Sequence, residues 1–227
     1  MVVSVSSLND YLEQTLVAVF CNLKESDSWQ KGRADDFFEI GIGKTPPRKE
    51  SEWFSNNPAG NVKWLSIKDM GESGSYALNS SEYLTPDAVE QKNVRRVSEG
   101  AVLLSFKLTV GRVKIAGYPM TTNEAIACFE SEDKLLLQYL YPYLLTFDYN
   151  SLGSTSSIAT AVNSKTIKGM KMLIPNKQLL EEYSEIVSPI YNMILSNQKE
   201  LIELENLRNV LLPKLMSGEL DVSEVSI

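Results

Sequence analysis

From Val187 to Leu215 the positions Val187, Ile190, Ile194, Asn197, Leu201, Leu204, Arg208, Leu211 and Leu215 advance alternately by three and four residues. Such spacing brings side chains to one side of an α-helix and makes a coiled-coil seam. Seven of the nine positions are apolar, Leu207 stands beside Arg208, and Glu200, Glu203 and Glu205 flank the stripe. A helix from Lys177 to Ser217 would be about 60 Å long at 1.5 Å per residue, longer than the rest of a small domain is wide. It must project or pair. Seven buried apolar side chains would contribute on the order of 10 to 20 kcal/mol before ordering and association costs. Pro189, after Ser188, reads either as the first residue of a capped restart or as a kink, and Pro213 sits one turn before a stop at Gly218. Asn197 is the one polar side chain well inside the seam, where a buried Asn fixes register at a cost in stability. An antiparallel pair about a two-fold axis would set it against its own symmetry mate. The alternative is a long helix packed along its own domain, with Asn197 toward solvent.

Composition removes many chemistries. The 227 residues contain no histidine, so no His-based triad, His general base or His-ligated metal can be built from this chain alone. Cys21 and Cys128 are the only cysteines, which excludes a four-Cys metal site and a dense disulfide framework and suits a reducing compartment. With 43% apolar residues the chain has enough material for a core. The amino terminus lacks a basic region, and its longest apolar run, Leu16 to Cys21, is too short for a signal or a span, so a soluble cytoplasmic protein without a membrane partner is expected.

The net charge of -7 hides an uneven distribution. Residues 1–30 and 121–227 are acidic, whereas residues 31–120 carry thirteen basic side chains against eleven acidic ones. Within them, Lys92 to Tyr118 sets Lys92, Arg95, Arg96, Lys107, Arg112 and Lys114 against Glu99 alone. A local basic stretch in an acidic protein is what a phosphate-contacting face looks like, although a solvated surface has the same composition.

Ser7 to Lys24 predicts a short amphipathic helix capped by Ser7. Between Asp35 and Phe129 the pattern changes to short β-rich pieces: Phe37 to Ile40, Val62 to Leu65, Ala101 to Phe106, Val113 to Ile115 and Ala125 to Phe129. Glu132 to Thr146, with Pro142 near its middle, reads as two helical pieces or one kinked helix. A polar loop from Asn150 to Ser157 and a strand from Lys171 to Pro175 precede the long helix.

Three catalytic readings fail on spacing. The run ending in Gly43-Lys44-Thr45 lacks the glycine a phosphate-binding loop needs at position 38, where Phe38 stands, and Pro46 and Pro47 forbid the helix that should follow. Asp87, Glu90 and Lys92 are residue types of a metal-dependent nuclease, but their spacing puts them on one turn of a helix starting at Pro86. Asn57-Pro58-Ala59 falls short of the Asn-Pro-Pro-aromatic patch with which methyltransferases hold a flipped base.

Several short motifs occur in a fixed order: Trp29 leading into Phe38-Glu39-Ile40, Gly43-Lys44-Thr45-Pro46, Trp64-Leu65-Ser66 with Asp69, and Gly100 to Ser105. Thr109-Val110-Gly111, Thr122-Asn123-Glu124-Ala125, Gly153-Ser154-Thr155, Ile174-Pro175 and Leu211 to Leu220 follow. Together, over nearly the whole chain, they resemble the specificity subunit of type I restriction-modification systems. The family usually has Gln where Glu124 stands; a carboxylate there would repel phosphate or accept from a cytosine amino group.

The resemblance implies an α+β fold: one mixed-sheet target recognition domain (29–175), preceded by a short helix (1–28) and followed by a long coiled-coil helix (176–220) and a tail (221–227). Family members normally carry two recognition domains, so the chain looks like half a subunit. It implies a non-catalytic, cofactor-free protein that reads double-stranded DNA, pairs with a second specificity half, as a homodimer in the simplest case, and directs methyltransferase subunits and through them the restriction subunit. S-adenosylmethionine and ATP would belong to those partners. The candidate DNA contacts are Lys44, Thr45, Arg48, Lys49, Lys63, Lys68, Arg95, Arg96, Lys107, Arg112, Lys114, Ser154 and Thr155, with Asn150 beside them. The candidate pairing surface is Val187, Ile190, Ile194, Asn197, Leu201, Leu204, Leu211 and Leu215. A coiled-coil adaptor that binds only protein is the rival reading; an enzyme using carboxylates alone is a weaker one.

Overall fold

The computed structural model describes residues 4–23, 29–152 and 162–219. Its central layer is a five-stranded sheet built from β2 (Glu39–Ile42), β10 (Ile126–Glu130), β7 (Val102–Ser105), β8 (Val113–Ala116) and β5 (Tyr76–Ala77), in that order. All neighbours are antiparallel except β5 and β8. A smaller sheet orders β3 (Phe54–Ser55), β6 (Glu82–Leu84), β4 (Val62–Leu65) and β9 (Thr121–Thr122), with β4 and β9 parallel. The fold is α+β with mixed sheets. A two-stranded ribbon pairs β1 (Gln30–Arg33) with β11 (Lys171–Ile174) and brings residues 30 and 174 side by side.

The central strands are apolar on both faces. Val102 and Leu104 of β7 and Ala127 and Phe129 of β10 face the helices, whereas Leu103, Ile126 and Cys128 face a second core with Leu65, Met70 and Met120. The two-residue period of a strand sends alternate side chains to opposite faces, so a strand covered on both sides reads as an unbroken apolar run. A third core gathers Trp64, Leu84, Ala88, Val89 and Val94 under α3 (Pro86–Gln91), which starts on Pro86 behind its cap Thr85.

Three helices cover one face of the sheet: α1 (Val5–Cys21), α4 (Lys134–Thr146) and α6 (Lys177–Met216). The short α2 (Ala34–Phe37) and α5 (Ser164–Lys168) flank the ribbon. The cap of α1 is Ser4, whose Oγ accepts from the Ser7 N–H at 3.1 Å, so Ser7 lies one turn inside. α4 is one helix through Pro142. Proline lacks the N–H that would bond the carbonyl four residues back, here that of Gln138. The Tyr191 hydroxyl of α6 donates to that carbonyl at 2.8 Å instead. α6 likewise runs unbroken through Pro189, so the restart does not occur.

The long helix is not a separate unit. Leu180, Tyr183, Val187, Tyr191 and Ile194 are buried in the same core as the sheet. Val187 and Ile194 are therefore unavailable as a pairing surface, which corrects the expectation for them: they lie inside the fold because α1, α4 and the sheet already cover them. Asn197 has an intramolecular partner, donating through Nδ2 to Oδ1 of Asn9 on α1 at 2.8 Å, while Asn9 Nδ2 donates to the Ile194 carbonyl at 3.3 Å. The expected meeting of Asn197 with a symmetry mate gives way to this pairing. Ile190 and Leu201 are half-buried, and beyond Ile202 every side chain of the helix is exposed.

Gln198 closes the open edge of the central sheet. Its Oε1 accepts from the Tyr76 N–H at 2.9 Å and its Nε2 donates to the Tyr76 carbonyl at 3.3 Å, so one side-chain amide stands in for the next strand. An unpaired edge would otherwise be a template for aggregation. Gly74, at φ +92°, makes room: a Cβ there would lie 2.1 Å from Gln198 Nε2. No helix among the described residues is long and apolar enough to cross a membrane.

Candidate nucleic-acid interface

Three of the sequence motifs meet in one place. The Lys44 N–H donates to the Thr122 carbonyl at 2.8 Å, and the Asn123 N–H donates to the Leu65 carbonyl at 3.0 Å. The Thr45 hydroxyl donates to Glu124, and Trp64 Nε1 donates to the Lys44 carbonyl at 3.2 Å. Gly43 is required by close approach, since a Cβ would lie 2.2 Å from the Asn123 carbonyl oxygen and 2.3 Å from that of Thr122. Loops 43–48 and 121–125 are thus welded together at the end of the small sheet. Asp69 of the Trp-Leu-Ser motif is buried and works on the backbone: its carboxylate accepts from the Ser66 N–H and hydroxyl at 2.8 and 2.7 Å and from the Ser81 N–H at 3.0 Å.

Arg48 lies across this platform. Its guanidinium is 4.2 Å from the Phe54 ring centre and 4.7 Å from that of Trp64, and it donates to both Glu82 oxygens at 2.8 and 2.9 Å. The bond to Glu82 holds its charge more firmly than an ordinary arginine's. Lys44 and Lys49 project beside it, both exposed and without an ion pair among the described residues.

The remaining basic candidates divide by environment. Lys68, Arg96 and Lys107 are exposed and likewise free of ion pairs among the described residues. Lys107 sits on the β7–β8 turn beside Leu108, which is 94% exposed at φ +65°. Arg95 is clamped between Glu39 and Glu130, at 2.6 Å from each, and Arg112 Nη1 donates to the Ile67 carbonyl at 2.9 Å. Lys114 is a correction: it is only 3% exposed, and its ammonium donates inward to the Gly74 carbonyl at 2.6 Å. Burial pushes its pKa down to about 8, against the pull of Glu13, Glu72 and Asp69. It faces inward because β8 is covered on both sides, so it cannot hold a phosphate. Asn150 is exposed, whereas Ser154 and Thr155 lie outside the described residues.

Lys63 of β4 has a neighbour that sequence reading missed. Its ammonium is 5.2 Å from the ring centre of Tyr118, and Lys199 of α6 approaches the same ring at 5.4 Å. No sequence signal links positions 136 residues apart; only the docking of α6 on the domain joins them.

The Cys128 thiol is buried under Thr122, and burial pushes its pKa up to about 12. Among the described residues no cluster of Cys, Asp and Glu is placed to hold a metal ion.

The model of the type I restriction-modification DNA specificity domain matches residues 26–206, four fifths of the chain. The chain belongs to this family. Two curated members of the specificity family are 24% identical to it: the type I restriction enzyme HindI specificity subunit of Haemophilus influenzae, matched over 92% of this chain and 48% of that protein, and the MjaIX specificity subunit of Methanocaldococcus jannaschii, matched over 87% and 45%. The chain spans about half the length of these relatives. Two solved structures share the fold. The S subunit of a type I restriction-modification system from M. genitalium superposes with a TM-score of 0.61 at 14% identity, covering 93% of this chain and 55% of that one. The HsdS subunit from Thermoanaerobacter tengcongensis superposes at 0.53 with 16% identity, covering 95% and 53%.

Proposed function

We propose that this specificity-family chain reads one half of a split DNA target and presents it to partner methyltransferase subunits, and through them to a restriction subunit. The observation that carries the reading is the welded platform of loops 43–48 and 121–125, where Lys44, Lys49 and the aromatic-backed Arg48 stand on a rigid base. Specific recognition needs side chains held in fixed geometry at the major groove while lysines and arginines grip phosphates. Arg96, Lys107 and Lys68 are exposed cations available for further phosphate contacts. Arg95 and Arg112, engaged with the protein itself, keep the scaffold in shape. Glu124, turned toward Thr45, would accept from a cytosine amino group. Recognition is the chain's own contribution; methyl transfer and strand cutting, with S-adenosylmethionine and ATP, belong to the partners.

The second half of the target requires a second reader. Leu204, Leu207, Leu211 and Leu215 continue the seam as an exposed stripe on the far end of α6, 36 to 54% accessible. It would pair with the corresponding helix of another specificity half, in the simplest assembly a second copy. The helix then acts as a spacer between half-sites.

Direct sequencing of methylated adenines in cells carrying this chain and its methyltransferase, with and without the chain, tests the proposal. The expected result is a split motif that vanishes on deletion and changes at one position with Glu124→Gln. Inverted-repeat halves would identify a homodimer; unlike halves, a different second chain. An unchanged methylation pattern would overturn DNA reading and leave a protein-only coiled-coil adaptor.

A further inference from the structure

The junction between the recognition domain and α6 holds two cations without an ion pair among the described residues. Lys63 lies on β4 between Val62 and Trp64; Trp64 points into the third core, so Lys63 points to the other face of the small sheet. There its ammonium sits 5.9 Å from the Tyr83 ring and 5.2 Å from the Tyr118 ring, while Lys199 reaches Tyr118 at 5.4 Å from the helix side. Neither lysine forms an ion pair among the described residues. They border an open cavity of about 280 Å³ that Asn79, Ile202 and Glu203 also line. The Asn79 amide and the Tyr118 hydroxyl have no hydrogen-bond partner among the described residues, and Glu203 is the one carboxylate lining the cavity.

The lysines are held there. Lys199 follows Gln198, whose amide is bonded to the edge of β5, so the helix face is fixed at this point. The Lys63 carbonyl accepts from the Thr121 hydroxyl at 2.9 Å, which anchors β4 to β9. Two like charges brought to one aromatic ring repel each other, and half-burial lowers the Lys63 pKa below lysine's ordinary value. An anion between them relieves both penalties.

We propose that Lys63, Tyr118 and Lys199 form a seat for one backbone phosphate of the DNA duplex, with Asn79 and the Tyr118 hydroxyl as further donors. The seat rests on the DNA-reading function proposed above and adds the long helix to the contact surface. A phosphate contact carries no base information; it fixes register and orientation. Because this contact is shared by the reader and the long helix, it fixes how the duplex lies against the helix without selecting bases.

The test uses the full chain with its methyltransferase subunits, one duplex bearing the methylated motif and one shuffled duplex, with affinity measured against salt. Lys199→Gln and Lys63→Gln should weaken binding to both duplexes by a common factor. Each should lower the slope of log affinity against log salt by about 0.9, the value for one lost phosphate contact. Lys199→Arg should keep the wild-type slope, and none should change the methylated motif. A wild-type slope in Lys199→Gln, with or without loss of thermal stability, overturns the seat and leaves the lysine structural. A changed motif would mean base reading and also overturns it, as would loss of the methyltransferase with an unchanged slope, which would assign the site to an acidic protein segment. If the wild-type complex itself fails to prefer its motif duplex, DNA reading falls and the seat with it.

Discussion

The two halves of α6 carry one uninterrupted seam and have opposite surroundings. From Leu180 to Ile194 the stripe is sealed against α1, α4 and the central sheet, with Val187 and Ile194 fully buried. From Leu204 to Leu215 the same period faces solvent, with Leu204 at 51% and Leu215 at 40% exposure. The first half anchors the helix to the domain and the second leaves its apolar stripe exposed. Heptad spacing states which side of a helix is apolar and says nothing about what covers it.

The sharpest way to break the contrast is to place a charge in each half. Ile194→Asp should destabilise the chain by more than about 4 kcal/mol, as an unpaired carboxylate in a dry core does, and thermal denaturation will show the loss. Leu211→Asp should change the unfolding of the recognition domain by less than about 0.5 kcal/mol. On the proposed pairing it should nonetheless shift sedimentation toward the monomer. Equal destabilisation by both would erase the distinction between the halves.

Asn197 sits where the halves meet. Asn197→Leu leaves the Asn9 side-chain oxygen without its donor and should cost about 1 to 3 kcal/mol with no change in assembly state. A stabilised protein with scrambled oligomers would return Asn197 to the intermolecular seam. Next to it, Gln198→Ala opens the β5 edge. A loss of about 1 kcal/mol and faster amide exchange at Tyr76 are expected, because the edge is only partly shielded and water recovers some of the bonding.

The smallest effect is a pH dependence of the anchored half. Lys114 has its pKa pushed down to about 8, so the unfolded chain, with an ordinary lysine, binds more protons above that pH. Stability should therefore rise gently from about pH 8 to about 9, where the unfolded Cys128 thiol, raised to about 12 in the fold, begins to ionise first and cancels the gain. Above pH 10 it should fall, because the buried Tyr141 and Tyr191 have raised pKa values and the unfolded tyrosines ionise first. Urea titrations at several pH values will show the rise, and Lys114→Met should flatten it.

Strand segments such as Val62–Leu65 and Val113–Ile115 were legible because apolar, β-branched and aromatic residues are bounded there by turn formers. The platform was legible only as motifs. Gly43-Lys44-Thr45 and Thr122-Asn123-Glu124 could be named singly, yet nothing local says that they touch across some eighty positions. The basic residues were legible as charges and illegible as contacts. Lys114 and Lys107 read alike in the chain, but one lies on a strand covered on both faces and the other on an exposed turn.

By itself the sequence determined the separation of helical from β-rich stretches, the reach of the long helix and the exclusion of histidine chemistry, since composition and periodicity act locally. Tertiary structure alone decided which stretch of the seam is spent inside the fold, that Asn197 meets Asn9, that Tyr191 answers the carbonyl freed by Pro142, and that Lys63 and Lys199 share a ring. Each of these is a contact between residues 50 or more positions apart. Their partners are set by how the helices dock on the sheet, which the packing of the whole core fixes and no local pattern encodes.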